Sequence, residues 1–268
     1  MKVSVAQFSP EGVVEGNLQT IRELVAEAAA EGSQLVLLPE EAMFSVGQVE
    51  GDFRQAVEAD WTTFVQQLTL IAAEFSVAII AGGYEPSNDE RPYNTLVAVA
   101  EDGSILGTYR KLHLYDAFSY QESRRIMPGD GGLSTVRIGE FTVGMMTCYD
   151  LRFPELARAL AEEGVDLLCI PAAWFKGEHK IDHWETLLKA RAIENTYWVA
   201  AAGSTSAHCI GHSAIVDPMG VPMAYLNEEP VGLVSAEVTI KRIEEVREFL
   251  PVLKNRRLTS VREIVPAH

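Results

Sequence analysis

Three residues of this chain belong to types that acyl transfer at a thiol requires, and each stands at the end of an apolar run. Glu40 closes Leu35-Val36-Leu37-Leu38-Pro39-Glu40, Lys111 follows the stretch ending in Tyr109-Arg110, and Cys148 lies within TVGMMTCYDLRFPE. A thiol is only a few per cent ionised at neutral pH, so a cysteine nucleophile needs a base or a positive field beside it. A carboxylate supplies the base, and an ammonium supplies charge to stabilise an oxyanion. Val143, Met145 and Met146 have strand character, and Phe153-Pro154-Glu155 reads as the first turn of a helix, where proline's missing N–H costs nothing. Cys148 is therefore expected in a strand-to-helix turn, with backbone N–H groups pointing outward. Cys148 and Glu40 each have a plainer reading alone: a core thiol packed like a small hydrophobe and a solvated loop carboxylate. The joint occurrence of the three residues favours chemistry.

The motifs LLPE around Glu40, YRKLHLYD around Lys111 and CYDLRFPE around Cys148 resemble, in this order and over residues 3 to 257, the nitrilase superfamily of carbon–nitrogen hydrolases. The resemblance implies an α/β fold, a four-layer α-β-β-α sandwich of two mixed sheets packed face to face with helices outside. It implies Cys148 as nucleophile, Glu40 as base and then acid, and Lys111 with the backbone N–H of Tyr149 as oxyanion donors. Glu122, in QESRRIMPGD, resembles the superfamily's supporting glutamate; the plainer reading makes it a surface partner of Arg124 or Arg125. No metal and no organic cofactor is required. Homodimers or higher homo-oligomers are implied as well, through the apolar helices after Cys148 and around Trp184.

Trp174, HWETLLKARAIEN and Gly211-His212-Ser213 look most like the branch of ω-amidases and deaminated-glutathione amidases, which cleave amides whose acyl part ends in a carboxylate. The expected reaction is hydrolysis of a small carboxylate-bearing amide through a Cys148 thioester, releasing ammonia. The loop WFKGEHKIDHWE departs from the branch's usual pattern, so the pocket is expected to differ. Arg152, Lys176 and His183 are the candidates for holding the carboxylate. The same three catalytic residues would serve a nitrilase or an N-carbamoyl (ureido) acid hydrolase, and a non-catalytic small-molecule binding protein on this fold is the alternative of a different class.

The elements that must position these groups follow from periodicity. Val3, Val5 and Gln7-Phe8 read as a first strand, and Asn17 as the cap of a helix that Gly32 closes; with the strand at 34–38 this makes a βαβ unit. Such units place Glu40 at a strand's carboxyl end, where open α/β sheets bind ligands. A helix is expected from Trp61 to Phe75, a strand at 77–81 broken by Gly82-Gly83, and a hairpin of 95–100 with 105–109. Residues 111–132 lack periodicity, and a loop this long beside Lys111 suits an active-site wall. The strand before Cys148, a helix from Phe153 to Glu163 and a strand at 166–171 give a second βαβ, and a helix from Ile181 to Ala192 follows. Strands at 197–202, 213–217, 221–225 and 231–238 and a helix over 241–249 complete the pattern, with Pro218-Met219-Gly220 as a hairpin turn. One domain is expected over 1–268, with 251–268 as an arm.

A net charge of −16 disfavours nucleic-acid and anionic-membrane partners, leaving a small-molecule amide as the expected partner. Cys148, Cys169 and Cys209 show neither CxxC nor metal-ligand spacing, which suits a reducing compartment, and Cys169 reads as a core thiol. With no apolar stretch near the ~20 residues of a membrane span and no leader-like N-terminus, a cytoplasmic location is expected. A metal protein is the remaining rival, on His179, His183, His208, Cys209 and His212, but HxxxH alone is weak.

Overall fold

The computed structural model describes residues 1–258; residues 259–268 of the expected arm lie outside the described residues. In chain order the elements are β1 (Lys2–Gln7), α1 (Val14–Ala30), β2 (Leu35–Leu37), α2 (Phe53–Phe75), β3 (Ala78–Glu85), β4 (Tyr93–Val99), β5 (Ile105–Arg110), β6 (Asp116–Ala117) and β7 (Tyr120–Gln121). They continue with β8 (Thr135–Ile138), β9 (Phe141–Met145), α3 (Pro154–Glu162), β10 (Leu167–Ala172), α4 (Lys180–Asn195), β11 (Trp198–Gly203), β12 (Ala214–Val216), β13 (Pro222–Tyr225), β14 (Gly232–Glu237) and α5 (Ile240–Phe249).

Two six-stranded sheets, ordered β14-β1-β2-β3-β4-β5 and β13-β12-β11-β10-β9-β8, form the centre of the expected sandwich. β1, β2 and β3 run parallel in one, β9, β10 and β11 in the other, with antiparallel strands flanking each trio. Alternation along the strands decides which layer each residue joins. Val3, Val5, Leu35, Leu37 and Ile80 enter the core shared with the second sheet, beside Val143, Met145, Cys169 and Ile170. Ala6, Val36, Ile79 and Ala81 turn the other way, into the core with α1 and α2. Removing one such fully buried side chain, as in Leu37→Ala, costs about 2–5 kcal/mol. Phe8 and Ser204 form a parallel bridge past the ends of β1 and β11, tying the two sheets together.

Several expectations shift. Asn17 is not a cap: α1 begins at Val14, and Asn17 is buried inside it, accepting from the Glu11 N–H at 2.8 Å and donating to the Met43 carbonyl at 3.0 Å. It fastens the segment after Glu40 to the helix. α2 starts at Phe53 rather than Trp61, capped by Asp52, which accepts from the Gln55 N–H at 3.1 Å; Phe53, Ala56 and Val57 carry its apolar face two turns further back, onto the core beneath α1 and α2. Gly82-Gly83 does not break β3, which runs through to Glu85. A Cβ on Gly82 would lie 2.1 Å from the Glu40 carbonyl oxygen, so glycine is required there for close backbone approach. β8 has no counterpart in the periodicity reading, being four residues long with alternate positions exposed.

Candidate active site

Glu40 and Lys111 come from the first sheet, Cys148 from the second, and the sheet-to-sheet packing brings them together. Glu40 stands just past β2, on the segment that follows Pro39. Its Oε1 accepts from Lys111 Nζ at 2.9 Å and from Asn94 Nδ2 at 2.7 Å, and its Oε2 accepts from the Ala173 N–H, just past β10, at 2.7 Å. Lys111 follows β5 directly and is 2% exposed. Its ammonium also donates to Glu122 Oε1 at 3.1 Å and Oε2 at 2.9 Å. Burial alone would push the Lys111 pKa down; the two carboxylates, Glu122 ahead of Glu40, reverse this and push it well up. Lys111 is therefore a fixed cation. Glu122 is buried in a short 3-10 turn, where its Oε2 also accepts from the Tyr115 N–H at 2.6 Å. The alternative reading of Glu122, as a surface partner of Arg124 or Arg125, fails on that burial.

Cys148 opens the 3-10 turn Cys148–Arg152, which leads into α3, and has a φ of 47°, a left-handed backbone unusual for a residue with a Cβ. Asp150 holds the turn. It is fully buried and accepts from the Thr147 N–H at 2.9 Å, the Tyr109 hydroxyl at 2.7 Å and the His113 N–H at 3.0 Å. His113 Nδ1 lies 2.7 Å from the same carboxylate and its ring stacks on Phe153 at 3.7 Å. The Cys148 turn and the backbone around Lys111 are thus anchored to one carboxylate. Burial, then the Glu40 carboxylate, pushes the Cys148 thiol well up, partly offset by Lys111. The group at rest is a protonated thiol in the field of the Glu40 carboxylate.

Glu40, Lys111, Glu122, Cys148 and Tyr149 line one open cleft. The carboxylate candidates do not. Lys176 is on the surface, paired with Glu228 at 2.9 Å, while Arg152 and His183 meet each other at 3.3 Å outside the lining. Besides Lys111, the cations that do line it are Lys180 and Arg125, both missed in the sequence reading. Lys180 had one signal: a lysine in the first turn of a helix, where an acid is the favoured type. Asn94 and the Ala173 N–H, which orient Glu40, carried no sequence signal. Cys169 is a fully buried core thiol, as expected. The histidines of the metal reading are dispersed, His179 beside Glu178 and Asp182, His183 beside Arg152, His212 beside Glu185. Among the described residues no group of three or more His, Cys, Asp or Glu side chains is arranged to hold a metal ion, and no helix is long and apolar enough to cross a membrane.

A buried Glu-Lys-Cys set at the seam of an α-β-β-α sandwich defines a class, and sequence comparison agrees with it: the carbon-nitrogen hydrolase family model matches residues 2–248, and the chain belongs to that family. It is an enzyme acting on carbon–nitrogen bonds other than peptide bonds. Within the family it is similar to the deaminated glutathione amidase of Escherichia coli O157:H7, 41% identical over 261 residues, covering 96% of this chain and 97% of that one. It is also similar to the omega-amidase NIT2 of Mus musculus, 33% identical over 267 residues, covering 96% and 95% of the two chains. Among solved structures it resembles an amidase from Nesterenkonia sp. AN1, with a TM-score of 0.80 and 26% identity over 96% of this chain and 94% of that one. There the active-site cysteine carries the covalently added acetamide moiety of fluoroacetamide.

Proposed function

We propose that this enzyme hydrolyses small amides bearing a free carboxylate, of the kind its relatives' names denote, with Cys148 as nucleophile. The observation that carries the reading is the Lys111 ammonium held between Glu40 and Glu122 beside a thiol that Glu40 can deprotonate. Attack of the Cys148 sulfur on the amide carbon forms the S–C bond as the thiol proton passes to Glu40. Negative charge gathers on the carbonyl oxygen, where Lys111 and the Tyr149 N–H stabilise it; loss of one such donor commonly costs about 100–1,000-fold in rate. Glu40 then protonates the departing nitrogen as the C–N bond breaks, leaving the thioester. Water, deprotonated by Glu40, attacks that carbon, and the thiol leaves with the proton returned. Glu122 keeps Lys111 charged and in place.

Steady-state turnover of a panel with Cys148→Ala alongside tests the reading: α-ketoglutaramate, deaminated glutathione, an aliphatic amide, a nitrile and a ureido acid. Turnover of a carboxylated amide, lost in the variant, is expected. A preference for the nitrile or the ureido acid would assign a different branch.

The same proposal extends to assembly and place. We read the chain as one domain that forms homodimers through the face of α4 and the β12–β13 hairpin. Exposed Ile193, Val221, Met223 and Tyr225 support an apolar contact there. Light scattering at micromolar concentration checks it, a monomer counting against it. Three free cysteines suit a cytoplasmic enzyme.

A further inference from the structure

Lys180 occupies an unusual setting for an ammonium. The residue is 5% exposed, yet among the described residues no carboxylate lies within 4.0 Å of its Nζ. The group instead donates to the Tyr115 hydroxyl at 2.9 Å and lies 4.3 Å from the ring centroid of Phe118, 4.9 Å from Tyr115 and 5.5 Å from Trp174. Three further features disfavour a cation at this point. Lys180 is the first residue of α4, at the positive end of the helix dipole. Arg152 packs over the same Trp174 ring at 4.8 Å, and its Nε is buried without a hydrogen-bond partner. Burial, and then Arg152, pull the Lys180 pKa down.

Aromatic faces offset part of such a cost, typically about 0.5–2 kcal/mol for a cation over a ring. They do not replace a counter-ion for a buried ammonium. The missing charge is an anion, and the place for it is the cleft, which Lys180 lines together with Cys148, Tyr115, Tyr149, Trp174 and Phe175.

We propose that Lys180 is the residue that receives the substrate's free carboxylate, and so selects carboxylate-bearing amides over neutral ones. This rests on the reading of Cys148 as an amide-hydrolysing nucleophile. Tyr115, Phe118 and Trp174 hold the ammonium at the cleft wall without neutralising it, so an arriving carboxylate gains a charge-assisted hydrogen bond in a desolvated site. The aromatic walls then cover the methylenes between carboxylate and amide. Arg152 supports the same anion electrostatically from behind Trp174, while Lys176 and His183 take no part.

The test compares wild type, Lys180→Met and Lys180→Arg on a carboxylated amide and on its methyl ester. Lys180→Met retains the side chain's length and apolar body without the charge. The expected result is a fall of about 30-fold in the ratio of kcat/KM for the carboxylate over the ester, mostly in KM, with partial recovery in Lys180→Arg. A second readout needs no turnover: glutarate should protect Cys148 of wild type from iodoacetamide and fail to protect Lys180→Met. An unchanged ratio with retained protection overturns the assignment of Lys180 and leaves the amidase reading intact. An equal loss on both substrates, with a matching fall in melting temperature, makes Lys180 a structural residue and also overturns it. Wild type that cleaves neither substrate, and whose Cys148 glutarate does not protect, removes both readings.

Discussion

Glu122 grips Lys111 with both of its carboxylate oxygens, at 3.1 and 2.9 Å, although 11 positions of loop and short hairpin separate the two residues. Glu40 holds the same ammonium with one oxygen, leaving its other oxygen on the Ala173 N–H. The division keeps Lys111 charged without tying up all of Glu40. In Glu122→Gln the shape persists but Lys111 keeps only one anionic partner. The expected outcome is a fall in kcat of about 100-fold with a smaller change in KM, measured by steady-state kinetics beside a thermal melt. Glu122→Ala, which breaks a buried pair outright, should cost about 3–5 kcal/mol of stability. Full activity in Glu122→Gln would remove it from the mechanism.

Alkylation separates the base from the field at Cys148. Burial and the Glu40 carboxylate hold the thiol up, so Glu40→Gln has two opposing effects: it lowers the thiol pKa and removes the base. General-base assistance is typically worth about 100–10,000-fold, against about tenfold per pKa unit for the field. The base should win, and iodoacetamide should label Glu40→Gln at least about tenfold more slowly at pH 7. Equal or faster labelling would show that Glu40 acts only as a charge.

Glu41, the neighbour of Glu40, lines the cleft and accepts from the Val46 N–H at 3.2 Å and the Tyr84 hydroxyl at 3.0 Å. Burial first, then Glu40, pushes its pKa from 4.5 to about 7. A carboxyl with a raised folded-state pKa binds its proton more tightly folded than unfolded, so its contribution to stability falls as pH rises through 4.5 to 7. Glu41→Gln keeps an acceptor oxygen for both donors and cannot ionise. Relative to wild type, its urea-unfolding free energy should therefore improve by about 2–3 kcal/mol between pH 4.5 and pH 8. A difference that does not vary with pH would place Glu41 in water.

Gly82 lets the Glu40 backbone pass: an added Cβ would come within 2.6 Å of the Glu40 Cα. Gly82→Ala must displace Glu40, and a shift of about 1 Å in a catalytic group can cost about 100-fold in rate. That loss, or failure to fold, is expected. Gly47→Ala, where nothing lies within 4 Å, is the matched control. Normal kinetics in Gly82→Ala would mean that the segment adapts and that Glu40 is not rigidly placed.

The two βαβ units, the position of Glu40, Lys111 and Cys148 at strand ends, and the α3 start at Pro154 were all legible because each depends on local periodicity or turn chemistry. Asn17 and the first turns of α2 were misread for a related reason. A short polar residue before an apolar stripe looks like a cap, and in the opening turns of α2 the stripe of Phe53, Ala56 and Val57 is diluted by Arg54, Gln55, Glu58 and Asp60. Glycines gave a mixed signal: Gly32 does close α1, whereas Gly82-Gly83 serve a close approach that no sequence pattern distinguishes from a break.

What the sequence determined by itself is the kind of chemistry, since the residue types and the motifs around them state which groups are present. Which cations face the cleft was a matter for the tertiary structure. Along the chain Arg152, Lys176 and His183 were the candidates and Lys180 was passed over, because the direction of a side chain from a loop or a helix start depends on the partner layer packed against it. The thiol and its carboxylate are 108 positions apart and come from different sheets, so their meeting exists only through the burial of the two sheets against each other, β1 and β2 over β11, in one shared core. Long-range packing of that kind leaves no trace in local spacing.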